Sequence, residues 1–279
     1  IARHHQPVAA AVLVDVDHSG SLPVLVRDGF AGAIHATAAT RDLCAVMLRD
    51  VARILVADAD YLNRRNLDDP AWTPIEPTYD EDDVVVALAR IVGHPYGQRF
   101  APVPGVTVTF LDAGHILGSA QVVVDVDEHG RRHRLVVSGD LGRCGMPIIR
   151  DPARPPGPID TLVMESTYGG RRHGPVAAMA DQLAAVLAAA RARGGKVLVP
   201  AFALGRTQEL LAVLHGLERS GRPIGMPVFI DSPLAIDVTS VFRLHPECFD
   251  AETRQVLEHD DPFAVPGLTL TRTSSPPRP

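Results

Sequence analysis

Residues 106–140 read VTVTFLDAGHILGSAQVVVDVDEHGRRHRLVVSGD. Val106, Val108 and Phe110 alternate with threonines, the period-two pattern of a strand with one buried face. Val122, Val124 and Val126 repeat the pattern. After Glu128-His-Gly130, Leu135–Val137 predicts the returning strand of a hairpin closed by a glycine turn. Each strand runs out into a polar loop, Asp112-Ala-Gly-His115 after the first and Ser138-Gly-Asp140 after the last. Residues that follow strands of one sheet converge at its edge, so His115 and Asp140 are candidates for one site.

Upstream, residues 8–16 (VAAAVLVDV) are a short apolar run ending in acid. They read as a buried strand feeding the loop Asp17-His-Ser-Gly20. With Thr40 as N-cap, Leu43, Val46, Met47, Val51, Ile54 and Leu55 recur at three and four and predict a helix to about Leu62. A polar connector over 68–79 leads to a second helix over Glu81–Val92. Downstream, residues 151–158 (DPARPPGP) form a proline-rich connector. Strand and helix then alternate: strand Thr161–Met164, helix 176–193, strand Lys196–Phe202, helix Thr207–Leu217, strand Val228–Ile230. That order predicts a parallel α/β unit, and Glu165 follows its first strand.

Composition narrows the class. A chain of 279 residues makes one large domain or two modest ones. With 46% hydrophobic and 22% charged residues, a packed core is expected rather than a disordered chain. No apolar run approaches the roughly 20 residues of a membrane span, so no membrane partner is expected. Cys44, Cys144 and Cys248 are scattered without CxxC spacing, which excludes a disulfide scaffold and points to a reducing, cytoplasmic location. A net charge of −6 excludes a general basic field for nucleic acid but allows a local basic cleft. The start at Ile1 and the polar tail Thr273–Pro279 suggest a fragment or a processed chain.

Four strand-end loops carry the chemistry: Asp17-His18, His115, Asp140 and Glu165. Two imidazoles with two or three carboxylates suit a divalent first-row metal such as zinc. Two such ions about 3.5–4 Å apart activate water and stabilise displacement at an ester or phosphodiester. Plainer uses exist for each residue. Asp-His pairs make turns and caps, His115 fits as a packed loop histidine, Asp140 as an Asx turn and Glu165 as polar strand termination. Spacing alone leaves both open. Arg206 follows Gly205 at a helix start, a setting suited to phosphate. Arg171, Arg172 and His173 either line a nucleic-acid path or form a solvated loop. Asp231-Ser232-Pro233 is a turn.

Four segments together resemble the metallo-β-lactamase fold, specifically its β-CASP branch of RNA-processing nucleases. They are Asp17-His-Ser-Gly-Ser-Leu-Pro23, Gly114-His-Ile-Leu-Gly-Ser-Ala120, Ser138-Gly-Asp-Leu-Gly-Arg143 and Glu165-Ser-Thr-Tyr-Gly169. The text between them is similar too: Ala36-Thr-Ala-Ala-Thr-Arg-Asp-Leu43, Asp60-Tyr-Leu-Asn-Arg-Arg65, Pro200-Ala-Phe-Ala-Leu-Gly-Arg-Thr-Gln-Glu209 and Asp231-Ser-Pro-Leu-Ala235. The resemblance implies an α/β architecture: a partial metallo-β-lactamase αββα sandwich over 1–172 and an inserted parallel β-CASP domain over 173–279. It implies a two-zinc site. Asp17 and His18 would serve the second zinc, His115 the first, and Asp140 would bridge both, offsetting the repulsion of two dications. Asp17 and Glu165 become the catalytic carboxylates, Glu165 orienting a histidine proton donor. Arg206 and Ser232 become substrate contacts. The implied activity is hydrolysis of RNA phosphodiester bonds in a single-stranded substrate, internally or from an end, by water that zinc acidifies to a pKa of about 7. Association as a homodimer is a further expectation.

The sequence departs from that pattern at the family's HxHxDH loop. The two histidine positions before Asp17-His18 hold Leu13 and Asp15. Leucine binds no metal, and aspartate offers a hard oxygen in place of imidazole. His4 and His5 lie before the strand, at its opposite end. No segment here matches the family's early Gly-rich aspartate motif or its late zinc-ligand and proton-donor histidines. That leaves His115 and Asp140 for the first zinc and Asp17, His18 and Asp140 for the second, where three protein ligands and a water are usual. The alternative expectation is a degenerate homologue that keeps RNA or partner binding without hydrolysis. A small-ester or thioester hydrolase is disfavoured by the inserted α/β segment.

Overall fold

The computed structural model describes residues 10–272. His4, His5 and the tail from Thr273 lie outside them. The chain divides into two compact units. Among the described residues the first comprises 10–112, 118–139 and 154–164, the second 113–117, 140–153 and 165–272. No helix among the described residues is long and apolar enough to cross a membrane.

The first unit opens with strand β1 (Ala10–Val12), helix α1 (Leu22–Arg27), strand β2 (Ala33–Thr37) and helix α2 (Ala38–Arg65). Helix α2 starts earlier than its apolar period predicts. The cap is Thr37, whose Oγ1 accepts from the Thr40 amide at 3.1 Å, and Thr40 lies inside the helix. Both threonine hydroxyls donate to the Gly118 carbonyl, at 2.8 and 2.9 Å, and this tertiary anchor decides between two cap-type residues three apart. Helix α3 (Glu81–Leu88) opens on a capping box between Asp80 and Asp83. It stops four residues short of the expected Val92, because Ile91–His94 is strand β3, laid parallel to β2. The order β1-β2-β3 is an all-parallel sheet.

The second sheet of this unit runs β4 (Arg99–Val103), β5 (Val106–Asp112), β6 (Ala120–Glu128), β7 (Arg131–Val137) and β8 (Thr161–Val163), in that order. The first four are antiparallel, and β8 joins parallel to β7. The period-two hairpin is therefore present. Its turn holds His129 at φ 52° and Gly130 at φ 73°, the two positive values that suit a tight hairpin. Val108, Phe110, Ala120 and Val122 form a buried cluster against Phe100, Val106, Val124 and Val137. Each large side chain in it contributes on the order of 1.5–3 kcal/mol by leaving water. His35 and His94, from β2 and β3, lay their rings against Phe100 and so join the two sheets.

The second unit contains helices α4 (Met179–Ala192) and α5 (Arg206–Arg219), strand β9 (Val228–Ile230), helices α6 (Pro233–Leu244) and α7 (Ala251–Leu257), and strand β10 (Leu268–Leu270). Strands β9 and β10 pair in parallel. Phe242 and Phe249 both meet the ring of Phe263 edge-on, at 5.8 and 6.2 Å. One sequence expectation fails here. Lys196–Phe202 forms no strand, and Leu198 and Phe202 stand 91% and 85% exposed. A strand needs a partner for its amides, and β9, the nearest candidate by order, pairs with β10 instead.

Candidate functional site

In the first unit, β1 ends at Val12; the buried Leu13 lies just past it, and Asp15 follows in an extended conformation, also buried. A single 3-10 turn over Val16–His18 then reverses the chain, closed by Ser19, whose amide and hydroxyl both donate to the Val16 carbonyl. The turn leaves Asp17 and His18 exposed. It also brings His18 Nδ1 to 2.7 Å from Asp15 Oδ1. Cys44 lies beneath the loop within hydrogen-bonding reach of Ser19. Burial pushes its thiol up to about 12, so it packs as a neutral group.

In the second unit, the segments around His115 and Asp140 are laced together. Gly142 donates its amide to the Ala113 carbonyl at 2.9 Å. A Cβ on Gly142 would fall inside the Gly114 carbonyl, so only glycine allows this approach. As a result His115 and Asp140 present ligand atoms within 4.8 Å of one another, both half-buried. Atoms that share one tetrahedral ion through bonds of ~2.0–2.2 Å lie about 3.4 Å apart, inside that limit, so one imidazole and one carboxylate could take a divalent first-row ion once the side chains close on it. Glu165 braces the same loops. Its Oε1 accepts from the Leu141 amide at 2.9 Å and its Oε2 from the Thr167 amide at 3.2 Å. The Leu141 amide above all, with Thr167 and the nearby His115, holds this carboxyl below the usual glutamate range against the opposing effect of burial. Glu165 is thus an ionised brace next to Asp140.

A Beta-Casp domain model matches residues 207–278. Ribonuclease TTHA0252 of Thermus thermophilus is 33% identical over 283 residues, covering 96% of this chain. The chain belongs to the β-CASP family. The transcription termination factor FttA of Thermococcus kodakarensis is 32% identical over 90% of this chain. Endoribonuclease YSH1 of Candida glabrata is 29% identical over 82% of it. The chain spans 58%, 37% and 29% of the lengths of these three relatives.

The remaining β-CASP candidates have local partners. Arg206 opens α5 beside Gly205 and pairs with Glu209 at 3.1 Å. The Ser232 oxygen caps α6 by accepting from the Ala235 amide at 3.2 Å, which leaves its hydroxyl proton able to donate. The link between Asp15 and His18 escapes sequence reasoning. An i,i+3 Asp-His spacing is its only trace, and the strand run before it gives no sign of a turn.

Proposed function

We propose that this chain carries a metal-dependent hydrolytic centre for RNA phosphodiester bonds. The observation that supports it most is the approach of His115 and Asp140, the two candidates read from separate strand ends. The names of the ribonuclease relatives point the same way. In this reading residues 1–172 form the metallo-β-lactamase-like αββα part and 173–279 the β-CASP part. His115 and Asp140 supply the donors of the second unit, and Asp17 and His18 are the donor candidates of the first, each pair within its own unit. Zinc is the ion that best suits this mixture of imidazole and carboxylate.

When bound, such ions supply Lewis-acid polarisation of the phosphodiester and acidification of water. The chain's own residues do the rest. Asp15 fixes the ring of His18 through Nδ1, and Glu165 fixes the loop of Asp140 through the Leu141 amide. Asp17, exposed on the turn of the first unit, would be the carboxylate that accepts a proton from water. Arg206 exchanges Glu209 for a backbone phosphate, and the Ser232 hydroxyl donates to a neighbouring one. A single-stranded substrate suits a centre that must reach each phosphate individually.

Labelled single-stranded RNA incubated with the protein and added Zn2+ tests the proposal. Metal-dependent fragments are expected, absent in H115A and D140A. A zinc-loaded protein that yields no fragments would overturn the hydrolytic reading. Leu13, buried where the family has a ligand, favours a second reading in which RNA is bound and not cut. Its signature would be RNA binding, unaffected by H115A, without fragments.

A further inference from the structure

The loop after Glu165 reads Ser166-Thr-Tyr-Gly-Gly-Arg-Arg-His173 and lies on the surface of the second unit. The rings of Tyr168 and His173 are 4.4 Å apart and inclined by 51°, and Tyr168 is 53% exposed. Backbone bonds already fix the loop: Gly169 to Ser166 at 3.0 Å and Arg171 to Tyr168 at 2.9 Å. Arg143 adds a bond from its guanidinium to the Gly174 carbonyl at 3.2 Å. The aromatic pair is therefore not needed to shape the turn. Arg171 and Arg172 are exposed, and among the described residues neither is paired with a carboxylate. Elsewhere on this acidic chain Arg53, Arg222, Arg243 and Arg272 each hold one.

An exposed ring supported from one side, with two unneutralised guanidiniums three and four residues on, matches what an unpaired nucleotide requires. Bases stack on aromatic faces whatever their sequence, and arginines track the phosphates. A duplex offers no free base face. We propose that Tyr168, backed by His173, is a stacking platform for one unpaired base of a single-stranded RNA, with Arg171 and Arg172 on the flanking phosphates. This rests on RNA being the ligand, the reading given above.

Fluorescence anisotropy of the full chain with two labelled probes separates the contributions. One probe is oligouridylate of about 12 nucleotides, within the span of a single-strand groove. The other is an abasic ribose-phosphate chain of the same length, and a gel confirms that both stay intact. Wild type should bind oligouridylate more tightly than the abasic chain. Y168A should lose about tenfold in affinity for oligouridylate and nothing for the abasic chain, while Y168F keeps both. The double variant R171A/R172A should weaken both probes alike and lower the slope of log affinity against log salt by about 1.4. Y168A that binds oligouridylate like wild type, or loses equally on both probes, overturns the platform and leaves the RNA reading standing. Wild type that binds neither probe overturns both.

Discussion

His18 Nδ1 lies 2.7 Å from Asp15 Oδ1. An ionised carboxylate only accepts, so Nδ1 carries the proton and Nε2 the lone pair. That is the tautomer a metal-binding histidine needs, with its ring held by a carboxylate partner. Asp15 is buried while His18 is half exposed, so the fixed member of the pair is the aspartate. In the proposed reading Asp15, at a position where the resemblance implies a ligand histidine, holds the ring of His18.

D15A should therefore weaken zinc binding by about 10- to 100-fold, the usual cost of losing an orienting partner. Competition with a coloured chelator reads the affinity, and circular dichroism confirms the fold. Unchanged affinity in folded D15A would show that His18 needs no such support.

Glu165 predicts a different outcome. Its carboxylate takes the amides of Leu141 and Thr167, so E165A strands two donors. The expected loss is about 1–2 kcal/mol in urea unfolding, reduced because the site is only half-buried. E165Q keeps one oxygen acceptor and should recover at least half of that. Because the Leu141 amide adjoins Asp140, E165A should also lower zinc affinity where E165Q does so less. Wild-type stability and affinity in E165A would remove Glu165 from the site.

The hairpin β6–β7 was legible because period-two burial and a glycine turn are local signals, and both hold in the structure. His115 and Asp140 were legible for the same reason, as polar residues just past apolar strands. What failed depended on partners far along the chain. Thr37 and Thr40 are equally good caps until the Gly118 carbonyl claims both hydroxyls. Ile91–His94 continues the apolar pattern of α3, and only pairing with β2 makes it a strand. Lys196–Phe202 has strand composition and, among the described residues, no strand beside it.

Asp125, buried in the middle of β6, accepts from Arg134 at 2.7 Å and is also paired with Arg132 and Arg99. The Arg134 guanidinium above all, then Arg132, holds its carboxyl far below the ordinary value of 3.8. A depressed folded-state pKa contributes stability that is present above that ordinary value and is lost as pH falls below it. D125N should cost about 2 kcal/mol at neutral pH. That is less than a fully buried broken pair, since Arg99 and Arg132 can turn to solvent. Urea unfolding at neutral pH and near pH 3 should show the difference between wild type and D125N shrinking on acidification. An equal difference at both would mean that the carboxylate contributes shape and not charge.

His35 Nδ1 and His94 Nε2 are 2.9 Å apart, and the ring of His94 stacks on Phe100 at 3.7 Å. One nitrogen must donate and the other accept, so at least the accepting ring is neutral. Burial lowers both below the ordinary 6.5, and for His94 the neighbouring His35 adds to it. The unfolded chain then binds more protons than the folded one just below pH 6.5, so stability is full above that value and falls as pH drops through it. The melting temperature should decline between about pH 7 and 5, and H94Q, which keeps a hydrogen-bonding group that does not titrate, should flatten that decline. A wild-type slope in H94Q would place the titration elsewhere.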